Sequence, residues 1–591
     1  MNSHNNLIML ECIGWKYYKR SDYTLWFKGY VTNYKMSELH MELKCIVSNY
    51  SKINIDVLKE WIKGVKGHFA IVIDFDGCVF ATTDKISSIP LYYVEREGEA
   101  IIGNHAPSLK RYANIDSKEK NSDAILEIAM SGYTVGRKTI FNDLYQLTAG
   151  ECLLSCNQYF VTEYYYTYLP KFTASYDKAY AKKKFSESVL VALTELIENN
   201  QGRQIAIPLS DGFDSRLIAS GLNFLGAKDV ICFSYGSINS NESYTSQAVS
   251  NKLGYQWFHV PLTYKSQKEF FSSEDFERYK EDFNSLSSTT FVQDISAIQK
   301  IRQNNLISSD AVIVNGNTGD FISGGHIPRS LTKGNLEDNN PDKLLASSWN
   351  EFLDKHFSLW GMLRNKNNNK FIINELNSLL ESRGIDRLVD NEQLYGVFES
   401  MEFLGRQSKY IVNMQRAYEF YGYSWHMPLW SESMLDFWEC VPQEYKVNQR
   451  LYKDTLYENN VNPLTFIPGT GLVNFGNKTT VSGSALDRIN VSRLVAYIRL
   501  MVDSAAKGYL FEPNDEITRN EIKMSMEGIM NDLVAKRGVY DYLVICDKSN
   551  NTPSRIDRNE LYVDIAIEPV KATEFIYIPV RIKNTGEISG G

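Results

Sequence analysis

The chain has 591 residues, 43% apolar and 23% charged, with a net charge of −8. That length exceeds what one core supports and predicts three or four globular domains. The acidic balance argues against nucleic acid or an anionic membrane as a partner, and no run of 18 apolar residues is present to span a bilayer.

The eight cysteines are scattered, with Cys152 and Cys156 the one close pair. This is neither a disulfide framework nor a zinc pattern, and it predicts reduced thiols in a cytoplasmic setting. The opening MNSHNNLIMLECIGWKYYKR lacks the apolar core and cleavage site of a signal peptide.

Residues 1 to about 165 alternate short β-type runs with turns: Thr24–Phe27, Phe69–Phe75, Val79–Thr82, Leu91–Val94 and Ala100–Ile102. GHFAIVIDFDGCVFATTDKISSIPLYY (Gly67–Tyr93) and KTIFNDLYQLTAGE (Lys138–Glu151) resemble scaffold segments of the amidotransferase domain of asparagine synthetases. The resemblance implies a glutaminase-like α+β sandwich. The family's glutaminase needs a Cys as first residue, because the free α-amine activates its thiol. Removal of Met1 here would expose Asn2. Cys12-Ile13-Gly14 loosely echoes the family's Cys-Gly-Ile, and loss of residues 1–11 would free Cys12. Yet KGYVTN (Lys28–Asn33), similar to the family's NGEIYN, follows too soon after Cys12, and Lys28 stands at the glutamine-binding Asn. Cys12 is therefore read as an ordinary buried cysteine and the glutaminase as lost.

A Tyr-rich connector (Thr162–Tyr168) and a basic helix (Lys178–Glu198) lead to QIAIPLSDGFDSR, Gln204–Arg216. Apolar Ile205–Leu209 predicts a strand, Ser210 to Ser215 a tight turn, and Arg216–Ala219 the start of a helix. Such a turn presents free N–H groups and the positive end of a helix dipole, which together cradle an anion. The Ser210 and Ser215 hydroxyls can bind phosphate, and Asp214 can hold magnesium against it. The same letters also read as an ordinary βα turn with a serine N-cap. Val230–Tyr235 (strand), Glu242–Leu253 (helix) and Trp257–Leu262 (strand) follow, implying a doubly wound parallel sheet with its ligand at the C-terminal strand ends.

The turn resembles the pyrophosphate loop of ATP pyrophosphatases, SGG-x-DS, with Ser210, Gly212, Asp214 and Ser215 in register. Asp211 replaces the first Gly, where a carboxylate repels pyrophosphate unless it turns away or helps hold metal. Ser234–Gly254 is similar to the asparagine synthetase segment that selects adenine. AVIVNGNTGDFISGGH (Ala311–His326) resembles that family's L-S-G-E-G-x-D-E-x-F-G-G-Y. Gly316 falls in its Gly-rich turn, Asp320 on its second magnesium-binding Asp, and Gly324 and Gly325 on its glycine pair. Asn317 stands where the family has a Glu important for acyl-adenylate chemistry, and Phe321 replaces the Glu after the Asp. Trp425–Tyr457 places Lys453 on the catalytic Lys, whose ammonium would stabilise charge near phosphorus.

Residues 1 to about 457 thus resemble an asparagine synthetase without its glutaminase. The resemblance implies ATP and Mg2+ as cofactors, and activation of a small-molecule or peptide carboxylate to an acyl-adenylate that an amine attacks.

From about residue 460 the pattern changes. Val461–Leu494, Lys507–Lys523 and Tyr540–Val580 resemble the contractile phage tail sheath protein. Val491, Leu494, Val495, Ile498 and Val502 follow helical spacing, and Asn514 or Asp515 can cap a second helix. Leu561, Val563, Ile565 and Ile567 alternate as a half-buried strand, and Ile576, Ile578, Val580 and Ile582 alternate again. The resemblance implies an α/β tail-sheath domain that self-associates or packs on a tail tube, and a virion location. The expected layout is an α/β multidomain chain with boundaries at 1–165, 166–457 and 458–591. A synthetase domain cut just after its catalytic Lys would leave Lys453 mobile or stranded away from Asp214.

Overall fold

A computed structural model describes residues 6–11, 14–48, 54–156, 159–170, 176–237, 240–331, 341–385, 394–458, 464–467, 471–474 and 489–570. Asn2, Cys12 and the alternation Ile576–Ile582 lie outside the described residues. The chain forms two compact units, Met1–Thr455 and Leu456–Gly591. Both mix helices with sheet, and the sheets are of parallel and antiparallel kinds. No described helix is long and apolar enough to cross a membrane.

The first unit opens with β1 (Leu7–Ile8), β2 (Lys16–Lys19), β3 (Thr24–Val31), β4 (Gly67–Phe75), β5 (Cys78–Thr83), β6 (Tyr92–Arg96) and β7 (Glu99–Gly103). β8 (Leu144–Gln146), β9 (Glu151–Cys156) and β10 (Tyr159–Tyr164) complete two sheets. One has the order β10-β9-β5-β4-β3-β2 and is antiparallel throughout; the other is β1-β7-β6-β8. Side-chain alternation explains the core. Phe69, Ile71, Ile73 and Phe75 of β4 share one face and meet Leu39, Leu43, Leu58 and Ile62 from the helices Met36–Ser48 and Ile55–Lys63. Ala70 and Val72 on the opposite face are also fully buried, so this strand reads as an apolar run.

β5 lies beside β9 and sets Cys78 directly opposite Cys156, with a Cα–Cα separation of 4.3 Å and a disulfide between them. The expectation of reduced thiols fails at this pair. A sequence separation of 78 residues concealed a direct cross-strand contact.

β11 (Ile205–Pro208), β12 (Val230–Gly236), β13 (Gln256–Pro261), β14 (Val312–Val314) and β15 (Ser424–His426) form a five-stranded sheet, all parallel, in the order β13-β12-β11-β14-β15. Two of the helices have side-chain N-caps. Asp177 caps Lys178–Asn200, and Ser240 caps Asn241–Leu253, which Gly254 closes at φ 73°.

The second unit holds a hairpin of β16 (Leu464–Ile467) and β17 (Gly471–Asn474), then the helices Ile489–Ala506 and Glu516–Ala535. Asp515 caps the latter, accepting from Thr518 N–H. β18 (Val539–Ile545) and β19 (Asp564–Pro569) pair antiparallel. Ile498, Ile522, Met526, Met530, Val539 and Val544 form its own core, with Leu561 and Val563 packed on it ahead of β19.

Candidate functional site

The chain enters the parallel sheet at β11, adds β12 and β13 on one side, then returns to place β14 and β15 on the other. The order reverses between β11 and β14, which leaves a crevice beyond their C-terminal ends. A cavity of about 530 Å³ opens among the residues of these strand ends. Ser210, Gly212, Asp214 and Ser215 line it from the turn after β11. Gly316, Asn317 and Asp320 line it from the turn after β14, and Ser234 from β12. Asp211 and Lys453 are not part of its lining.

The first turn is braced by its own hydroxyls. Ser215 Oγ accepts from Ser210 N–H at 3.1 Å and lies 3.0 Å from Ser210 Oγ, which accepts from Gly212 N–H. Gly212 starts the helix Phe213–Phe224 with no side-chain cap, so the first helical N–H groups are not used up by one. Asp211 is exposed.

The second turn packs directly on Asp214. A Cβ on Gly316 would come 2.7 Å from Asp214 Cβ, and one on Gly319 only 2.5 Å from Asp214 Cγ. Only glycine allows this approach. Asp214 Oδ1 accepts from the Tyr452 hydroxyl at 2.7 Å. Burial, and then the nearby charge of Asp320, push the Asp214 carboxyl up to about 7.

Asp320 accepts from Phe321 N–H at 2.8 Å, and its other oxygen faces His326 Nε2 at 3.0 Å. The far nitrogen of His326 bonds Glu402. Glu402 also takes His356 Nε2 and Gln407 Nε2, each at 3.0 Å. Burial alone would lower His326, but its two carboxylate partners outweigh that and raise it to about 9. Burial would raise Glu402, but the hydrogen bonds and charge of His326 and His356 hold it well below the usual carboxylate range.

Asn317 is turned aside: its Nδ2 sits 3.1 Å from Met414 Sδ. Ser234 Oγ contacts His259 Nδ1 at 2.9 Å. The remaining wall includes Arg406, Gln407 and Tyr410 of a π-helical segment, Phe403–Tyr410.

Lys453 Nζ donates to the Asn448 carbonyl at 3.0 Å and sits 5.8 Å from the Phe213 ring. It is anchored near the first turn rather than loose, yet it stays outside the cavity lining. Lys28 Nζ is committed elsewhere, 2.8 Å from Glu419, with both groups buried. Glu419 also takes Arg416 Nη1 at 2.7 Å.

Tyr452, Glu402 and Arg406 were not singled out in the sequence. Tyr452 had one signal, its place beside Lys453. Glu402 and Arg406 had none, because each reaches the site from a distant helix. His326 ended a quoted segment but carried no role.

Magnesium can be tested against these donors. Among the described residues no group of three or more His, Cys, Asp or Glu could hold a metal. Asp214 and Asp320 supply two carboxylates, the number this ion takes when phosphates and water complete its shell. The donor set therefore fits a nucleotide-borne magnesium and not a protein-only site.

Comparison with known proteins bears on the second unit. Residues 481–583 match the family described as Phage tail sheath C-terminal domain. The tail sheath protein of Vibrio phage KVP40 is 42% identical over 129 residues, 22% of this chain and 19% of that protein. The tail sheath protein of Enterobacteria phage T4 is 37% identical over 135 residues, 23% of this chain and 20% of that protein. The chain thus spans about a fifth of the length of these curated relatives. A solved NH3-dependent NAD synthetase from Campylobacter jejuni overlaps 36% of this chain and all of that one. Its identity of 11% and TM-score of 0.19 are too low to argue from.

Proposed function

We propose that the first unit is an ATP-dependent, AMP- and pyrophosphate-forming ligase that activates a carboxylate as an acyl-adenylate for attack by ammonia or an amine. The observation that carries this reading is the convergence of Asp214 and Asp320 on one cavity with the hydroxyl-braced turn Ser210–Ser215. A carboxylate pushed up to about 7 beside a second carboxylate is poised to gain a cation.

In this reading the N–H groups that follow Gly212 at the helix start cradle the phosphates. Ser210 and Ser215 orient them, and Ser234 faces the nucleoside. Asp214 and Asp320 would hold magnesium, which offsets phosphate charge when bound. Tyr452 and Gly319 fix the Asp214 carboxylate. Asn317 must leave Met414 to reach substrate, and Lys453 would touch the ligand only by exchanging Asn448 for a ligand oxygen. The layout keeps a glutaminase-like domain (1–165), a pyrophosphatase-like domain (166–457) and a sheath-like domain (458–591).

The test is pyrophosphate release from Mg·ATP across a panel of carboxylic acids, with and without ammonia or amines. Acid-dependent release is expected. No release with any acid would sink the reading. Glutamine should not be hydrolysed, since Lys28, paired with Glu419, stands where the resemblance places the glutamine-binding Asn. Glutamate release from glutamine would show otherwise.

A second reading is favoured by the match over residues 481–583. The second unit would then serve as a structural piece of a contractile tail, self-associating or packing on a tail tube. The setting would be a virion rather than the cytoplasm alone. Electron micrographs should show helical polymers or tube-bound rings. Monodisperse particles that ignore added tail tubes would rule this out.

A further inference from the structure

Most charges around the cavity are already matched within the protein. Asp320 holds His326, and Asp214 holds Tyr452. Asp294, which also lines the cavity, accepts from the hydroxyls of Tyr235 and Tyr418. Arg406 differs. Among the described residues its guanidinium has no hydrogen bond and no ion pair, and its one ring neighbour is Tyr410 at 5.8 Å.

Glu402, one turn earlier on the same helical stretch, is already engaged by other partners. Glu402 takes His326 and Gln407 on one oxygen and His356 on the other, with Lys355 Nζ at 3.9 Å. Lys355 is itself held by the His326 carbonyl at 2.7 Å. The backbone beneath Arg406 is fixed. A Cβ on Gly405 would come 2.6 Å from the Tyr133 ring, so the π-helical turn cannot slide. Arg406 is thus a half-buried permanent cation, with five donors, held on a rigid wall beside the cavity. An uncompensated charge in such a place is unfavourable until an anion meets it.

We infer that Arg406 is the residue that receives an oxyanion of the bound substrate, either a nucleotide phosphate or the carboxylate of the acid. The inference rests on the ligase reading for the identity of the substrate, but not for the presence of the site. A guanidinium presents two parallel N–H groups to either oxyanion, so the shared chemistry is a bidentate charge-assisted contact.

Calorimetric titration of the full chain with three probes tests this: inorganic pyrophosphate with Mg2+, succinate, and uncharged adenosine. At least one anion should bind. Arg406→Gln should weaken that anion about tenfold or more. Adenosine should bind both proteins alike, which would show that the cavity has not collapsed. Arg406→Lys should recover only part of the loss, because a point charge replaces the fork. Dependence of pyrophosphate on Arg406 assigns the residue to the nucleotide, and dependence of succinate assigns it to the acid. Anion binding unchanged in Arg406→Gln, or no binding of either anion to the parent protein, overturns the inference. The ligase reading fails separately. If anions bind through Arg406 but no acid elicits pyrophosphate from Mg·ATP, the site stands and the reaction does not. If Arg406→Gln releases pyrophosphate at the parent rate with parent KM values, the reaction stands and the site does not.

Discussion

Two regions of the first unit treat charge in opposite ways. Beside β3, Lys28 is buried and its ammonium meets Glu419, which Arg416 and the Trp425 indole also contact. Beyond β11 and β14, Asp214 sits next to Asp320, and Arg406 faces the cavity without a counter-ion among the described residues. Matched charges hold structure together, while unmatched ones beside a cavity leave binding energy for a ligand. The contrast separates a buried charge cluster spent on structure from a cavity wall whose charge remains available.

The largest effect should come from Asp214→Ala. Loss of this carboxylate should remove several kcal/mol of transition-state stabilisation, on the order of a thousandfold in pyrophosphate release. Undiminished release would break the comparison at its active side. Next, Lys28→Met should destabilise folding by ~4 kcal/mol, because Glu419 keeps a buried charge with fewer partners. Urea melts would show it, and Lys28→Met with Glu419→Gln should recover much of the loss. A melt unchanged by Lys28→Met would mean that this pair is not structural.

A smaller effect concerns pH. The histidine at 326 ordinarily titrates at 6.5 and is raised to about 9, so its stabilisation is complete below pH 6.5 and lost as pH rises through 9. Asp214 acts in the same sense lower down. Its folded value of about 7 exceeds the ordinary 3.8, so stability falls as pH rises between them. His326→Gln should flatten the upper limb, by roughly 2 kcal/mol after solvent screening, and should also move the acid limb, because Asp320 and Glu402 lose the partner that lowers them. Equal slopes above pH 7 in parent and variant would remove the charged bridge between Asp320 and Glu402. The smallest effect should be that of Lys453→Met. With its ammonium on Asn448, outside the lining, release should change by about threefold at most, a difference under 1 kcal/mol. A hundredfold loss would show that the lysine swings in during turnover.

Local features were readable from the residues. The β-type run Phe69–Phe75, the strand–turn–helix at Gln204–Arg216 and a cap at Asn514 or Asp515 all depend on neighbours in sequence, and β4, β11 with its helix, and Glu516–Ala535 follow. The turn glycines at 316 and 319 could be seen as a loop, but their reason, contact with Asp214, lies a hundred residues away in the chain. Arg406 lines the cavity, Glu402 holds His326 and Tyr452 holds Asp214, all from far along the chain, and no periodicity relates them to β11. Cys78 and Cys156 were hidden for the same reason: pairing of β5 with β9 is a long-range choice. The first strand at Thr24 runs on to Val31 because β4 supplies a partner for its whole length.

The π-helical segment Phe403–Tyr410 carries one further consequence. Such a turn is what an α-helix becomes when it takes in one extra residue, since its bonds then skip five positions in place of four. Removing one residue between Leu404 and Ser408 would restore the ordinary spiral and re-aim the side chains within Phe403–Tyr410. Gln407, which now meets Glu402, and Tyr410 at the cavity would both be turned away. A single-codon deletion there would thus dismantle the wall while preserving the reading frame, and because the segment is buried both melting curves and ligand binding would register it.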